Sequence, residues 1–129
     1  MSSYVLVSHF FHAHAHSHSN APVFLVVYRS DKKDDHLNPL WKESGPIDLE
    51  WFCDGNPDLE LKITLWDYQS RSEDRIVGSI QHVTAQSIIE HVTIAGNGDL
   101  TKALKFKNKE KDVGDLIILK AKIEQKLEA

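Results

Sequence analysis

Residues 59–66, LELKITLW, decide the fold class, because leucine or isoleucine alternates with other residues along a full strand length. Successive side chains of a β-strand point to opposite faces, so a period of two places every second residue on one face. The pattern predicts an antiparallel strand with one face on a core and one face in solvent. The residues expected to share the buried face are Leu59, Leu61, Ile63 and Leu65.

Short segments rich in apolar, aromatic and β-branched residues surround this strand and predict further strands. Turn signals separate them, such as Asn38-Pro39 and the run Asp54-Gly55-Asn56-Pro57. One short helix is expected over residues 84–91, with Thr84 as its N-cap. Gly78 predicts a bulge or a close approach within a strand. The predicted strands are residues 4–11, 23–28, 47–52, 59–66, 76–83, 103–106 and 115–123.

These elements predict an all-β fold in a single domain that covers residues 1–129. A chain of 129 residues has the length of one ordinary domain. A parallel α/β sheet would need a crossover helix between successive strands, and the pattern offers only one short helix. Short strands separated by turns therefore favour an antiparallel β-sandwich.

The composition is that of a globular protein, with 41% hydrophobic and 26% charged residues. A formal net charge of -4 gives no general attraction to nucleic acid, so no nucleic-acid partner is expected. The lone Cys53 excludes an internal disulfide and suits a reducing compartment, so a cytoplasmic location is expected. No apolar run approaches the roughly 18 residues of a membrane span. Any membrane contact is therefore expected to be peripheral.

A tract of alternating histidines is the most unusual local feature of the chain. In an extended segment these imidazoles would lie on one side, at intervals of about 6.6 Å. Imidazole is a ligand for Zn²⁺, Cu²⁺ or Ni²⁺, and an aspartate in a facing loop could add an oxygen. The candidate metal ligands are His12, His14, His16, His18 and Asp67.

Two other interpretations of the histidine tract remain open. Protonation near pH 5 to 6 would turn it into a cationic loop tip, with Phe10 and Phe11 beneath it, that could meet an anionic membrane. Alternatively, the tract is a surface loop that tolerates small and polar residues and has no binding role. A metal site, a pH-dependent membrane contact and a plain loop are thus all compatible with the residues.

Lysines concentrate toward the C-terminus, where nearby carboxylates offset about half of their charge. Such a patch could hold an anionic phospholipid headgroup or leaflet, since each lysine contributes about 1 kcal/mol near an anionic surface. A lysine run can equally be a solvated strand edge that prevents aggregation. The candidate lipid-binding residues are Lys102, Lys105, Lys107, Lys109, Lys111, Lys120 and Lys122, with Lys126 in the same run.

Nothing in the residue pattern argues for an enzyme. Serine–histidine or paired-carboxylate arrangements with credible spacing are missing, as is a glycine loop that could cradle phosphate. Cys53 has no histidine or basic neighbour in sequence to activate its thiol. Trp41, Trp51 and Trp66 lie at or beside predicted strands and are expected in the core rather than on a binding platform.

Several short motifs follow one another in order along the chain: Asn20-Ala21-Pro22, Leu37-Asn38-Pro39-Leu40-Trp41, Cys53-Asp54-Gly55, Trp66-Asp67-Tyr68, Ile76-Val77-Gly78 and Val113-Gly114-Asp115. This ordered set resembles the motifs of C2 domains, and in particular of the C2 domains of copines. The similarity covers most of the chain and implies an eight-stranded antiparallel sandwich with the type II strand order and three binding loops at one end. The loops implied by the resemblance are residues 12–21, 29–40 and 67–75.

C2 domains commonly bind Ca²⁺ through aspartates in the first and third loops and then bind anionic phospholipid. The matching positions of this chain are Ala15, Ala21, Asp67, Gln69 and Arg75. Only Asp67 is a carboxylate, whereas Ca²⁺ takes six to eight oxygen ligands and a guanidinium repels it.

The resemblance therefore implies a non-catalytic module that associates with an anionic membrane or a protein partner without Ca²⁺. The alternative is a transition-metal-binding module centred on the histidines. No cofactor is certain, and Zn²⁺ or another transition metal would be the one to expect. The oligomeric state does not follow from the sequence.

Overall fold

The computed structural model describes residues 2–11, 23–34, 39–92 and 103–124. In these ranges the chain is mostly antiparallel β-structure with few helices, which confirms the predicted all-β fold class. The elements in chain order are β1 (Ser3–Phe11), β2 (Val23–Arg29), α1 (Leu49–Cys53), β3 (Leu61–Asp67), β4 (Arg75–Val83), α2 (Ala85–Glu90), β5 (Leu104–Asn108) and β6 (Lys111–Leu116).

The six strands of the described ranges form one open sheet in the order β2-β1-β3-β4-β5-β6. Every neighbouring pair in this sheet is antiparallel. The expected eight-stranded sandwich is therefore wrong, because the described strands lie in a single layer. Two local differences from the predicted elements contribute to this result, one at residues 47–52 and one near the C-terminus.

Residues 47–52 were expected to form a strand, but the chain forms helix α1 there. Asp48 caps the helix, since its side chain accepts a hydrogen bond of 2.9 Å from the backbone N–H of Glu50. Leu49, Phe52 and Cys53 then pack against the core, as helical spacing allows. A short apolar run fits the period of a helix as well as that of a strand, so the local cap and the tertiary contacts decide which element forms.

The last strand lies earlier in the chain than the predicted segment 115–123. β5 and β6 form a hairpin whose two turn residues, Lys109 and Glu110, have φ angles of 51° and 68°. Positive φ at both turn positions is characteristic of a type I′ turn, whose twist matches that of the flanking strands. Beyond β6, an isolated parallel bridge joins Ile118 to Val92. Pairing in the hairpin therefore fixes the position of the strand, although it begins with the charged residues Lys111 and Asp112.

One face of the sheet, here called the core face, carries most of the buried apolar residues. Val5 and Val7 of β1 lie directly opposite Leu65 and Ile63 of β3. Both helices contribute to the same core, through Cys53 of α1 and Ala85 of α2. Leu61, Ile63 and Leu65 are buried on the core face, as the alternation predicts, but Thr64 on the opposite face is also buried, so that side of the strand is not in solvent as expected.

Two further local predictions are confirmed. Thr84 caps α2: its hydroxyl accepts from the backbone N–H of Ser87, and the Ser87 hydroxyl lies 2.7 Å from the Thr84 backbone nitrogen. Gly78 is a point of close approach, because an added Cβ would lie 2.6 Å from Cγ2 of Val113 and 3.1 Å from the carbonyl oxygen of Lys107. The N-cap of α2 and the close approach at Gly78 could thus be predicted from the sequence.

Candidate functional site

A row of paired residues crosses the sheet from β5 to β2 on the face opposite the core face. Residues directly opposite one another in a sheet project to the same side. Phe106, the neighbour of Lys107 in β5, lies in the core, which places Lys107 and its row on the other face. The row runs through Lys107, Ser79, Thr64, Leu6 and Arg29.

Four basic side chains share this face, which we call the cationic face. Lys62 and Lys105 each lie two residues from a member of the row, so they project to the same side. The Lys62 ammonium lies 5.1 Å from the ring centroid of Phe24, and the Arg29 guanidinium lies 4.4 Å from that of Tyr4. The cationic face is defined by Arg29, Lys62, Lys105 and Lys107.

Exposed apolar side chains lie among these cations. Phe24 contacts Lys62 and is 46% exposed. Val26 pairs with Ser8 next to Lys62 and is 46% exposed, and Ile76 pairs with Trp66 and is 53% exposed. Asp115 and Asp112 lie directly opposite Lys105 and Lys107 on the same side, so the face combines basic and acidic side chains with apolar surface.

The structure divides the predicted lysine patch between two regions. Lys105 and Lys107 lie on the cationic face, whereas Lys120 and Lys122 lie beyond β6. Each of these four lysines has a carboxylate within 4 Å: Asp115 at 2.5 Å, Asp112 at 3.8 Å, Glu43 at 3.4 Å and Glu124 at 2.6 Å, respectively.

The other predicted lysines lie in or beyond the β5–β6 hairpin or outside the described residues. Lys109 lies in the hairpin turn and Lys111 begins β6, while Lys102 and Lys126 lie outside the described residues. Ion pairs between exposed side chains contribute about 0–1 kcal/mol each, so a stronger anion can replace these carboxylates.

The predicted third-loop Ca²⁺ positions contact one another directly. One carboxylate oxygen of Asp67, Oδ2, accepts a hydrogen bond of 2.8 Å from Nε2 of Gln69 and one of 2.9 Å from Nη2 of Arg75. Gln69 and Arg75, at two of the expected Ca²⁺ positions, thus donate hydrogen bonds to the carboxylate of Asp67 at the third. Ala15 and Ala21, the first-loop positions, lie outside the described residues.

A hydrogen-bonded pair that the sequence did not indicate lies beside this aspartate. The hydroxyl of Tyr4 donates to Oδ2 of Asp74 over 2.5 Å, and the backbone N–H of Gln69 donates to Oδ1 over 2.9 Å. These two bonds, the backbone one foremost, lower the pKa of Asp74. Burial, followed by the hydrogen bond to Asp74, raises the pKa of Tyr4 to about 12.

His12, His14, His16 and His18 lie outside the described residues, so their metal site stays a prediction. At one end of β1 Phe11 pairs with Val23, and at the other end Ser3 pairs with Asp67. The nine residues of β1 span about 26 Å between these ends. The connections after β1 and after β3 therefore start from opposite ends of the sheet, unlike the arrangement implied by the C2 resemblance.

Metal-ligating side chains are not grouped elsewhere in the described ranges. Across residues 2–11, 23–34, 39–92 and 103–124, no three His, Cys, Asp or Glu side chains come close enough to hold an ion. Cys53 is buried, and burial raises the pKa of its thiol.

The three tryptophans have separate roles in the structure. Trp41 packs against the core and donates from Nε1 to the carbonyl of Ser3 over 3.2 Å. Trp66 stacks on Tyr4 with the ring planes 4° apart. Trp51 is 53% exposed and donates from Nε1 to the carbonyl of Val27 over 2.9 Å, so its expected core position is wrong.

The basic residues at the β2 end of the cationic face were missed by the sequence analysis. Lys62 had a usable signal, because it lies between Leu61 and Ile63 in the alternating strand and so had to project away from the core. Arg29 had no such signal, since it follows the predicted strand 23–28 and its pairing with Leu6 depends on the sheet register alone.

No protein-family model matches the chain. The C2 resemblance therefore rests on the short motifs of the sequence. Among the residues that the structure describes, no helix is long and apolar enough to cross a membrane.

Proposed function

We propose that the chain is a non-catalytic module that associates peripherally with anionic phospholipid membranes and does not require Ca²⁺. The observation that carries the proposal is the cationic face, where Lys62 contacts the exposed Phe24 and three further basic residues, Arg29, Lys105 and Lys107, lie on the same side of the sheet. An anionic leaflet attracts each nearby Lys or Arg by about 1 kcal/mol. Apolar side chains add binding free energy when they enter the interfacial region.

Independence from Ca²⁺ is supported by the contacts of Asp67. Its Oδ2 atom already accepts hydrogen bonds from Gln69 and Arg75, and the guanidinium supplies the positive charge that a cation would otherwise bring. Ca²⁺ would need several further oxygen ligands, whereas Gln69 and Arg75, the other third-loop positions of the C2 resemblance, supply no carboxylate. The proposed kinship with copine-type C2 domains agrees with membrane association and rests on the sequence motifs.

Sedimentation with vesicles tests this proposal directly. Vesicles of phosphatidylcholine alone are compared with vesicles that also contain phosphatidylserine, each with added Ca²⁺, added Zn²⁺ or EDTA. We expect binding to the anionic vesicles only, at the same level in Ca²⁺ and in EDTA. Lys62→Gln should weaken binding about fivefold, which corresponds to the loss of about 1 kcal/mol.

Lys42→Gln is the matched control, because Lys42 is an exposed lysine in the loop before α1 and lies off the cationic face. It should bind like the unmodified protein. Equal loss in both variants would show that net charge, rather than this face, drives binding. Binding that requires Ca²⁺, or capture of a protein partner with no vesicle binding, would overturn the proposal.

A further inference from the structure

A groove of about 390 Å³ lies between β4 and β5 beside the cationic face. The two strands pair in register at Ser79 and Lys107, and the groove opens along this seam. Lys105, Lys107 and Lys109 line it from the β5 side. A cavity of this size can accommodate a small ligand or a lipid headgroup.

His82 lines the groove from the β4 side and has an unusual backbone conformation. Its φ angle is 60°, and it lies where the β3–β4 register shifts between the pair Ile63–Ile80 and the pair Leu61–Val83. A β-bulge of this kind redirects a side chain out of the regular alternation. Nδ1 of His82 lies 3.2 Å from Oε1 of Glu60, which leaves Nε2 as the other nitrogen available for a ligand.

The amines of the groove have a regular spacing. Lys105 and Lys107 project to the same side of β5, about 7 Å apart along the strand. In the structure Lys105 and Lys107 form ion pairs with Asp115 and Asp112, respectively, and both carboxylates are exposed. Glu110 also lines the groove, so an incoming anion must compete with these carboxylates for the lysines.

We propose that this groove binds a phosphomonoester group, an inference that rests on the proposed membrane association. A phosphomonoester carries about −1.5 to −2 charges at pH 7 and three acceptor oxygens. Lys105 and Lys107 would each donate to one oxygen in place of Asp115 and Asp112, and the imidazolium form of His82, held at Nδ1 by Glu60, would donate from Nε2 to a third. The phosphodiester of an ordinary anionic phospholipid carries one charge and two free oxygens, so it competes less well with the carboxylates.

Vesicles that differ only in headgroup chemistry test the inference. Phosphatidic acid supplies a phosphomonoester and phosphatidylserine a phosphodiester, and the two vesicle types are matched in surface potential. We expect at least tenfold tighter binding to phosphatidic acid. Lys105→Gln/Lys107→Gln should remove this preference, whereas Lys120→Gln/Lys122→Gln, with the same change in net charge, should keep it.

A soluble ligand distinguishes a headgroup site from a site for free phosphate esters. Glycerol 3-phosphate titrated into ¹⁵N-labelled protein should shift the amide signals of Ser79, His82 and Lys107, and glycerol should not. His82→Gln is a second variant that should weaken the phosphatidic acid preference. Circular dichroism confirms that each variant is folded before it is compared.

The outcomes separate this inference from the proposed function. Equal binding to both vesicle types, with no shifts at the groove, overturns the phosphomonoester site and leaves membrane association standing. Binding to neither vesicle type overturns membrane association, and groove shifts with glycerol 3-phosphate would then assign the site to a free phosphate ester. A preference that survives Lys105→Gln/Lys107→Gln overturns the groove as its origin.

Discussion

At the scale of single residues, Tyr4 connects several parts of the sheet. Its ring lies between the Arg29 guanidinium, 4.4 Å from the ring centroid, and the Trp66 ring, with centroids 6.3 Å apart. Its hydroxyl donates to Asp74, which is 70 residues away in the chain. The sequence placed Tyr4 in a strand, but its partners follow only from the register of β1 with β2 and β3.

Tyr4→Phe tests the contribution of this hydroxyl. Losing the hydrogen bond to Asp74 should lower the free energy of unfolding by about 1 kcal/mol, because Tyr4 is buried and its ring contacts are kept. Urea unfolding at pH 7 measures the change. Tyr28→Phe removes a hydroxyl from a half-buried tyrosine of β2 and should cost less. Equal losses in both variants would contradict the assigned role.

The same pair predicts a pH dependence with a definite sign. Hydrogen bonds hold the pKa of Asp74 below its ordinary value of 3.8 in the folded protein. A lowered folded pKa stabilises the protein above the unfolded pKa, and this stabilisation is lost as the pH falls through the folded pKa. The stability difference between the protein and Asp74→Asn should therefore be constant near pH 7 and shrink below about pH 4. Urea unfolding as a function of pH measures it, and a difference that grows toward low pH would contradict the sign.

At the scale of elements, the β4–β5 seam depends on a glycine. Gly78 lies against the backbone of Lys107 and the side chain of Val113, whereas Gly114 has open space where a Cβ would be. The sequence marked Gly78 as a close-approach point but could not name these partners, because they lie in a hairpin that is distant in the chain.

Gly78→Ala should destabilise the protein by about 1–3 kcal/mol, since its Cβ would overlap Val113 and force β4 and β5 apart. Gly114→Ala is the control and should change stability by about 0.5 kcal/mol or less. Combining Gly78→Ala with Val113→Ala should recover part of the loss if the overlap is the cause. Chemical unfolding of the variants measures each change, and no recovery in the double variant would place the strain at the Lys107 backbone.

Helix α1 shows why an element type can escape prediction. In the run from Ile47 to Phe52 the apolar residues fit a strand as well as a helical turn. Asp48 and the left-handed Asp54 close both ends of the helix, and Cys53 enters the core. Local caps together with tertiary burial outweigh the strand propensity of the segment.

At the scale of the whole molecule, the sheet order predicts where the protein opens first. β1 and β3 are paired on both sides, whereas β5 joins the rest of the sheet through a single registered pair. Amide hydrogen exchange should therefore be slowest in β1 and β3 and faster in β5 and β6. Exchange measured by mass spectrometry or NMR checks this order. Protection in β5 equal to that in β3 would show that β4 and β5 stay paired in solution and would contradict this order.

The all-β class, the burial of Leu61, Ile63 and Leu65 and the cap of α2 could be predicted from the sequence, because each depends on neighbours in the chain, whereas the partners of Gly78 lie in a distant hairpin. The order of the six strands in the described residues, the division of the lysines and the assembly of the cationic face depend on tertiary contacts. Register is the physical reason, since pairing between distant strands sets which side chains share a face. The groove between β4 and β5 follows from the same register.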